Sequence, residues 1–174
     1  IIGYMGTINS TRLDGELLYQ IISQRPDYSF VFTGPEDDIF RRDRIHSLKN
    51  AYFTGQKKVD ELPAYIAAYD VCINPQMVNK ITNGNYPLKI DEYLAMGKPT
   101  VATSTHTMRN IFTGHTHLAI NPEEWLAAID RAVTEADDKE LAKQRIAFAE
   151  THSWGHSVKK IYEIIDSFLK KKTT

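Results

Sequence analysis

With one cysteine in 174 residues, the chain cannot form an internal disulfide. It needs none, because a domain of this size buries roughly 70% of the surface that its unfolded form exposes. Charge of one sign is also missing: 21 basic side chains face 22 acidic ones, for a formal net charge of -1. No global field therefore draws in nucleic acid or an anionic bilayer, and no nucleic-acid partner is expected. No stretch approaches the roughly 18 continuous apolar residues of a membrane span, so any membrane association is expected to be peripheral. The first residues carry no basic-then-apolar pattern of a secretory leader. Repeats, low-complexity segments and linkers are absent, so residues 1–174 read as a single domain. The chain opens at Ile1, inside the apolar run Ile1-Ile2-Gly3-Tyr4-Met5 and without an initiator methionine, so a larger protein is expected. The lone Cys72 suits a reducing, cytoplasmic compartment.

As far as about residue 120, short β-prone runs alternate with segments of helical period, the pattern of crossovers onto a parallel sheet buried on both faces. Expected strands are Ile1 to Met5, Tyr28 to Thr33, Ala51 to Thr54, Val71 to Asn74, Thr100 to Thr103 and His117 to Ile120. The fold class is therefore α/β, a Rossmann-like doubly wound parallel sheet of about six strands. Leu13, Leu17, Leu18, Ile21 and Ile22 recur at helical spacing, as do Leu62, Ile66 and Tyr69. Pro87 begins a further helix that Gly97-Lys98-Pro99 ends. Beyond Pro122 the signals are helical only, forming a C-terminal tail. Its last helix places Val158, Ile161, Ile165, Phe168 and Leu169 on one face, to be buried against the sheet or against a neighbouring domain. Lys170-Lys171-Lys172-Thr173-Thr174 read as a solvated, frayed end.

Ligands of open parallel sheets bind beyond the carboxyl ends of the strands, so the loops there carry the information. Gly6-Thr7-Ile8-Asn9-Ser10-Thr11-Arg12 leads into a helix at Leu13. It suits a phosphate held by backbone N–H groups beside Arg12, or a plain turn in which Ser10 or Thr11 caps the helix. The loop of residues 75–86 ends in Pro87-Leu88-Lys89-Ile90-Asp91-Glu92. A proline in the first helical turn fixes where the helix starts. The N–H groups of Leu88 and Lys89 then face the crevice, where the helix dipole and the Lys89 ammonium favour a diphosphate. At 100° per residue, Lys89, Glu92 and Met96 share one face, opposite Ile90, Tyr93 and Leu94. Glu92 there either accepts two hydrogen bonds from a ribose diol or forms a surface pair with Lys89. Gly34-Pro35-Glu36 and Gly55-Gln56-Lys57-Lys58 are ligand-contacting turns or simply turns.

Three look-alikes carry less. Gly97-Lys98-Pro99-Thr100 echoes a triphosphate loop, but Glu92 stands at the required glycine and the segment precedes a strand. Only Gly3 and Gly6 answer the dinucleotide fingerprint after the first strand. His152 and His156 have metal-ligand spacing without a third ligand, so a helix junction explains them and no metal is expected.

The chain resembles the nucleotide-sugar-binding half of a GT-B glycosyltransferase of the group-1 (family 4) type. The likeness rests on Ile2-Gly3-Tyr4-Met5-Gly6, Arg25-Pro26-Asp27, Phe30-Val31-Phe32-Thr33-Gly34-Pro35, Tyr69-Asp70-Val71-Cys72-Ile73-Asn74-Pro75, His152-Ser153-Trp154 and, above all, Pro87 to Val101. It implies a donor-binding domain over residues 1–174, facing an N-terminal acceptor domain that lies outside this chain. The activity implied is hexosyl transfer from a nucleoside-diphosphate sugar to a glycan or lipid-linked acceptor, with retention of configuration, in polysaccharide assembly and without a metal or other cofactor. On this resemblance Gly6, Thr7, Arg12, Leu88 and Lys89 hold the diphosphate, Glu92 the ribose, and Gly55 and Gln56 the base. Where many members carry a second glutamate near the sugar, this chain has Gly84, and Gly6-Thr7 replaces their Gly-Arg. The alternatives are a same-fold sugar-nucleotide epimerase or hydrolase, for which His106 and His115 are the available acid–base pair, and a non-catalytic interaction module.

Overall fold

The structure is a computed structural model and describes residues 1–172. Six short strands, β1 (Ile2–Met5), β2 (Phe30–Thr33), β3 (Ala51–Gly55), β4 (Val71–Asn74), β5 (Thr100–Thr103) and β6 (His117–Ala119), form one parallel sheet in the order β3-β2-β1-β4-β5-β6. The helices α1 (Gly15–Ser23), α2 (Leu62–Ala68), α3 (Leu88–Ala95), α4 (His106–Ile111), α5 (Pro122–Thr134), α6 (Lys139–Glu150) and α7 (Trp154–Lys172) connect and follow them. This is the doubly wound architecture expected from alternating apolar runs and helical periods.

Successive strand residues face opposite layers. Ile2 and Tyr4 of β1 join Val71, Ile73 and Val101 in a core closed by Leu18, Ile21, Trp125 and Ile129 from α1 and α5. On the other face Met5, Cys72 and Ala102 pack with Ile66, Ile90, Tyr93, Leu94 and Ala149. The near-continuous apolar character of β1, β4 and β5 follows from burial on both sides. Arg25 clamps the two ends of the first layer, its Nε and Nη2 donating to the Asp130 carboxylate at 2.9 and 2.6 Å.

Several boundaries differ from the sequence expectation. α1 begins at Gly15, not Leu13, because Asp14 is the cap and accepts from the Leu17 N–H at 3.0 Å. Leu13 is buried in the preceding turn, so its apolar character reflects packing and not helix. Neither Ser10 nor Thr11 caps the helix; the Ser10 N–H and hydroxyl both donate to Asp37. Pro87 is the residue before the first turn of α3. α7 starts four residues earlier than Val158 and continues through Lys172, so Lys170 to Lys172 extend the helix; Thr173 and Thr174 lie outside the described residues. Its apolar face is not buried on the sheet: Val158, Ile161 and Ile165 are exposed, as is Trp154 at the start. No described helix is long and apolar enough to cross a membrane.

Candidate functional site

β1 has β2 on one side and β4 on the other, and the chain crosses in opposite directions from the two. The connections leaving β1 and β4 therefore part, and a crevice opens between them at the carboxyl edge. A cavity of about 600 Å³ occupies it. One wall is the loop after β1, with Gly6, Thr7, Asn9 and Arg12; the other is Gln76 and residues 85–89.

The floor is main chain. The Gly6 N–H donates to the Thr33 carbonyl at 2.9 Å, the Gly34 N–H to the Gly55 carbonyl at 3.0 Å, and the Ile8 N–H to the Pro35 carbonyl at 2.8 Å, so the three loops after β1, β2 and β3 stay paired beyond the strands. Gly6 and Gly34 adopt φ of +136° and +145°, a region that side chains disfavour.

Above this floor stands the start of α3. Proline at the capping position brings no side-chain acceptor, and no side chain caps the first turn. The helix terminus keeps its positive end open toward the cavity. The rest of α3 is pinned. The buried Tyr93 hydroxyl accepts from the Met5 N–H at 2.8 Å, tying the helix to the end of β1. Tyr93→Phe is expected to leave that N–H without its partner and to destabilise the chain by about 1–3 kcal/mol, measured as the free energy of urea unfolding. Tyr86 donates to Asp91 Oδ2 at 2.6 Å and His152 Nδ1 lies 3.1 Å from Asp91 Oδ1, so the cavity wall is linked to the joint between α6 and α7.

Lys89 leans back over β1. Its Nζ donates to the Tyr4 hydroxyl at 2.7 Å and sits 4.0 Å from the centre of that ring. A Cβ on Gly6 would lie only 2.7 Å from Nζ, so the glycine leaves room for the ammonium. Burial pulls the Lys89 ammonium down to about 7, with Glu92 opposing the shift and Arg12 adding to it. Tyr4, which donates onward to the Thr7 carbonyl at 3.0 Å, is held protonated by its own burial. Arg12 stands exposed at the mouth and forms no ion pair among the described residues. No aspartate or glutamate lines the cavity. The arrangement is a donor-rich, acid-free pocket with two cations and a helix terminus, suited to a dianion.

Of the residues singled out in the sequence, Gly6, Thr7, Arg12, Leu88 and Lys89 come together in this cavity. Glu92 is exposed one turn further along α3, lining an adjoining cleft of about 470 Å³ with Leu88, Asp91 and Trp154. Ile90, Tyr93 and Leu94 face the core, opposite Lys89 and Glu92. Gly55, the last residue of β3, and Gln56 after it are exposed and line neither space. His106 sits at the start of α4 beside Asn110, and His115 stacks on Phe148 at 3.6 Å; neither lines the cavity. Tyr4, Asn9, Gln76 and Tyr86 were not legible as site residues. Tyr4 and Tyr86 look like core aromatics, and only the adjacency of β1 and β4 brings them together.

A family profile described as "Glycosyl transferases group 1" matches residues 2–135. The chain belongs to that family. A Bacillus subtilis (strain 168) group-1 relative named "Putative teichuronic acid biosynthesis glycosyltransferase TuaH" is 28% identical over 160 residues, covering 88% of this chain and 40% of that protein. Among solved structures of the same fold, Anabaena Alr3699/HepE in complex with UDP superposes with a TM-score of 0.75 at 15% identity, over 95% of this chain and 48% of that one. Sucrose-phosphate synthase from Thermosynechococcus elongatus does so with a TM-score of 0.77 at 18% identity, over 98% and 46%. These likenesses establish the GT-B fold of a group-1 glycosyltransferase domain, and the chain spans less than half the length of each of these proteins.

Proposed function

We propose that the chain is the donor-binding half of a glycosyltransferase, which holds a nucleoside-diphosphate sugar at the crevice between β1 and β4. The observation that carries this is the uncapped start of α3 above the Gly6 loop, with the Lys89 ammonium turned into the same space. When the glycosidic bond breaks, negative charge grows on the diphosphate. Fixed donors aimed at that charge stabilise the transition state more than the ground state. Leu88 and Lys89 N–H groups, the Lys89 ammonium, Gly6, Thr7 and Arg12 supply them, so metal-free leaving-group stabilisation is the chemistry proposed. Glu92 is proposed for the ribose diol and the loop at Gly55 and Gln56 for the base. Glu92 lines the adjoining cleft, where a nucleoside would extend from a diphosphate in the cavity, and the Gly55 loop would reach the base from the end of β3.

The acceptor would sit on an N-terminal half, in keeping with the greater length of the relatives, and the exposed face of α7 offers that half a surface. Alone, the chain would bind nucleotide without transferring sugar. Hexosyl transfer with retention to a glycan or lipid-linked acceptor, in cytoplasmic polysaccharide assembly with peripheral membrane association, is the full proposal. The name of the B. subtilis relative supports its polysaccharide part. An epimerase or hydrolase needs an acid–base pair at the anomeric carbon, and the cavity contains no histidine.

Calorimetric titration of the chain with UDP, GDP and ADP tests the proposal. One of the three is expected to bind, and Glu92→Ala to weaken it about 10- to 100-fold, as two charge-assisted hydrogen bonds are lost. No binding by any nucleotide would defeat the donor assignment, and an unchanged affinity in Glu92→Ala would remove the ribose role.

A further inference from the structure

Gln76 lines the cavity and is packed into its wall, but its side-chain amide is bonded to no neighbour. It is 7% exposed, yet its amide forms no hydrogen bond to any described residue. Its amide atoms are not among the fully buried unpartnered polar atoms, so the exposure that remains to this residue is at the amide end, which opens on the cavity. Its backbone is firmly placed. The Gln76 N–H donates to the Asn74 carbonyl at 3.0 Å, an antiparallel bridge joins Gln76 to Leu13, and the flanking Pro75 carbonyl and Met77 N–H bond to Asp14 and Arg12 at 3.0 and 2.8 Å. A fixed backbone that holds an accessible amide, unbonded by the protein, against the cavity is a preorganised contact for a guest atom.

The guest is defined by what else lines the space. The diphosphate donors cluster at Gly6 and the start of α3, whereas Gln76 lies at the end of β4 beside the Asn9 and Asn85 amides, with no carboxylate in the cavity. Asn9 Oδ1 is already engaged by the Thr11 N–H at 2.8 Å, so its NH2 is the end left to offer. An amide presents one acceptor and two donors, the complement of a pair of neighbouring sugar hydroxyls.

We infer that Gln76 reads the sugar of the bound nucleotide sugar, through hydrogen bonds between its cavity-facing amide and the sugar hydroxyls. This rests on the donor-binding role proposed above and extends it to a specificity-determining residue.

The test uses the nucleoside diphosphate that binds best in the preceding titration, together with its glucose, N-acetylglucosamine and glucuronate conjugates, against the unsubstituted chain and against Gln76→Met and Gln76→Ala. Methionine keeps the volume and removes the hydrogen bonds. At least one conjugate is expected to bind more tightly than the bare nucleotide. Both variants should bring it down about five- to thirtyfold, to the level of the bare nucleotide, with the latter's affinity held within twofold. The constant nucleotide affinity is also the readout that the variant has folded. If nucleotide binds but no conjugate exceeds it, or if a variant weakens nucleotide and conjugate in parallel, Gln76 does not read the sugar. If no nucleotide binds the unsubstituted chain, the donor role itself fails and takes this inference with it.

Discussion

Binding of a nucleoside diphosphate to this chain is expected to take up a proton, with affinity falling by up to about tenfold per pH unit between about pH 7.5 and 9.5. The cause is Lys89, which burial holds at about 7 in the free site. A dianion beside Nζ favours the charged form, so the bound state keeps a proton that the free state has released. Affinity is then lost as pH rises above the free-site value, in a window where the nucleotide's own phosphates no longer titrate. The groups facing Lys89 are Tyr4 from β1, Arg12 from the first loop and Glu92 from its own helix. Burial keeps the Tyr4 hydroxyl protonated throughout the window, so it does not change the sign.

Calorimetry in buffers of different ionisation enthalpy counts the proton directly. Lys89→Met should abolish both the uptake and the slope. At pH 7 it should weaken binding about 10- to 150-fold, the worth of charge-assisted hydrogen bonds at roughly 1.5–3 kcal/mol. A slope that survives in Lys89→Met would move the titrating group elsewhere. Without nucleotide the sign reverses. The unfolded chain holds the Lys89 proton up to its ordinary value of 10.5, so stability rises as pH climbs from about 7 toward 10.5.

The largest loss of stability is expected from Gly34→Ala. A Cβ there would stand 2.0 Å from the Gly6 carbonyl oxygen, a backbone atom that cannot swing aside, and φ of +145° already disfavours a side chain. Overpacking and backbone strain together should cost about 3 kcal/mol or more, a fall of roughly 6–12 °C in the melting midpoint of a chain this long. Nucleotide affinity should fall with it, because Gly6 is displaced from beneath Lys89. Gly84→Ala is the contrast: nothing lies within 4 Å of a Cβ at that site, and its stability should stay within about 0.5 kcal/mol of the parent, a midpoint shift of no more than about 2 °C. Equal midpoints for the two variants would show that the contact between the Gly6 and Gly34 loops gives way without cost.

Local pattern carried the strands well, because runs such as Val71–Asn74 and Thr100–Thr103 are buried on both faces and so contain no charged residue. It missed α4, whose six residues hold too little period to register, and it set the start of α1 at Leu13 by mistaking a packed turn residue for a helical one. Pro87, Lys89 and Glu92 were legible because helix-start chemistry and the 100° spacing are local. Gln76 and Tyr4 were not, since they reach the cavity only because β1 and β4 lie side by side, a pairing of residues about 70 positions apart. Position 145 shows the same limit. Arg145 looks like an ordinary surface cation, yet it is buried, bonded to Glu135 and near the Gly97 carbonyl, where it fastens α6 behind α3.

The glycine-bearing loops that run paired beyond β1, β2 and β3 are joined through peptide groups, so exchanging the side chains around them leaves those hydrogen bonds in place. On the donor role proposed above, a new cargo preference would be engineered first across the crevice, on residues 75–86, where Gln76, Asn85 and Tyr86 present side chains to the cavity.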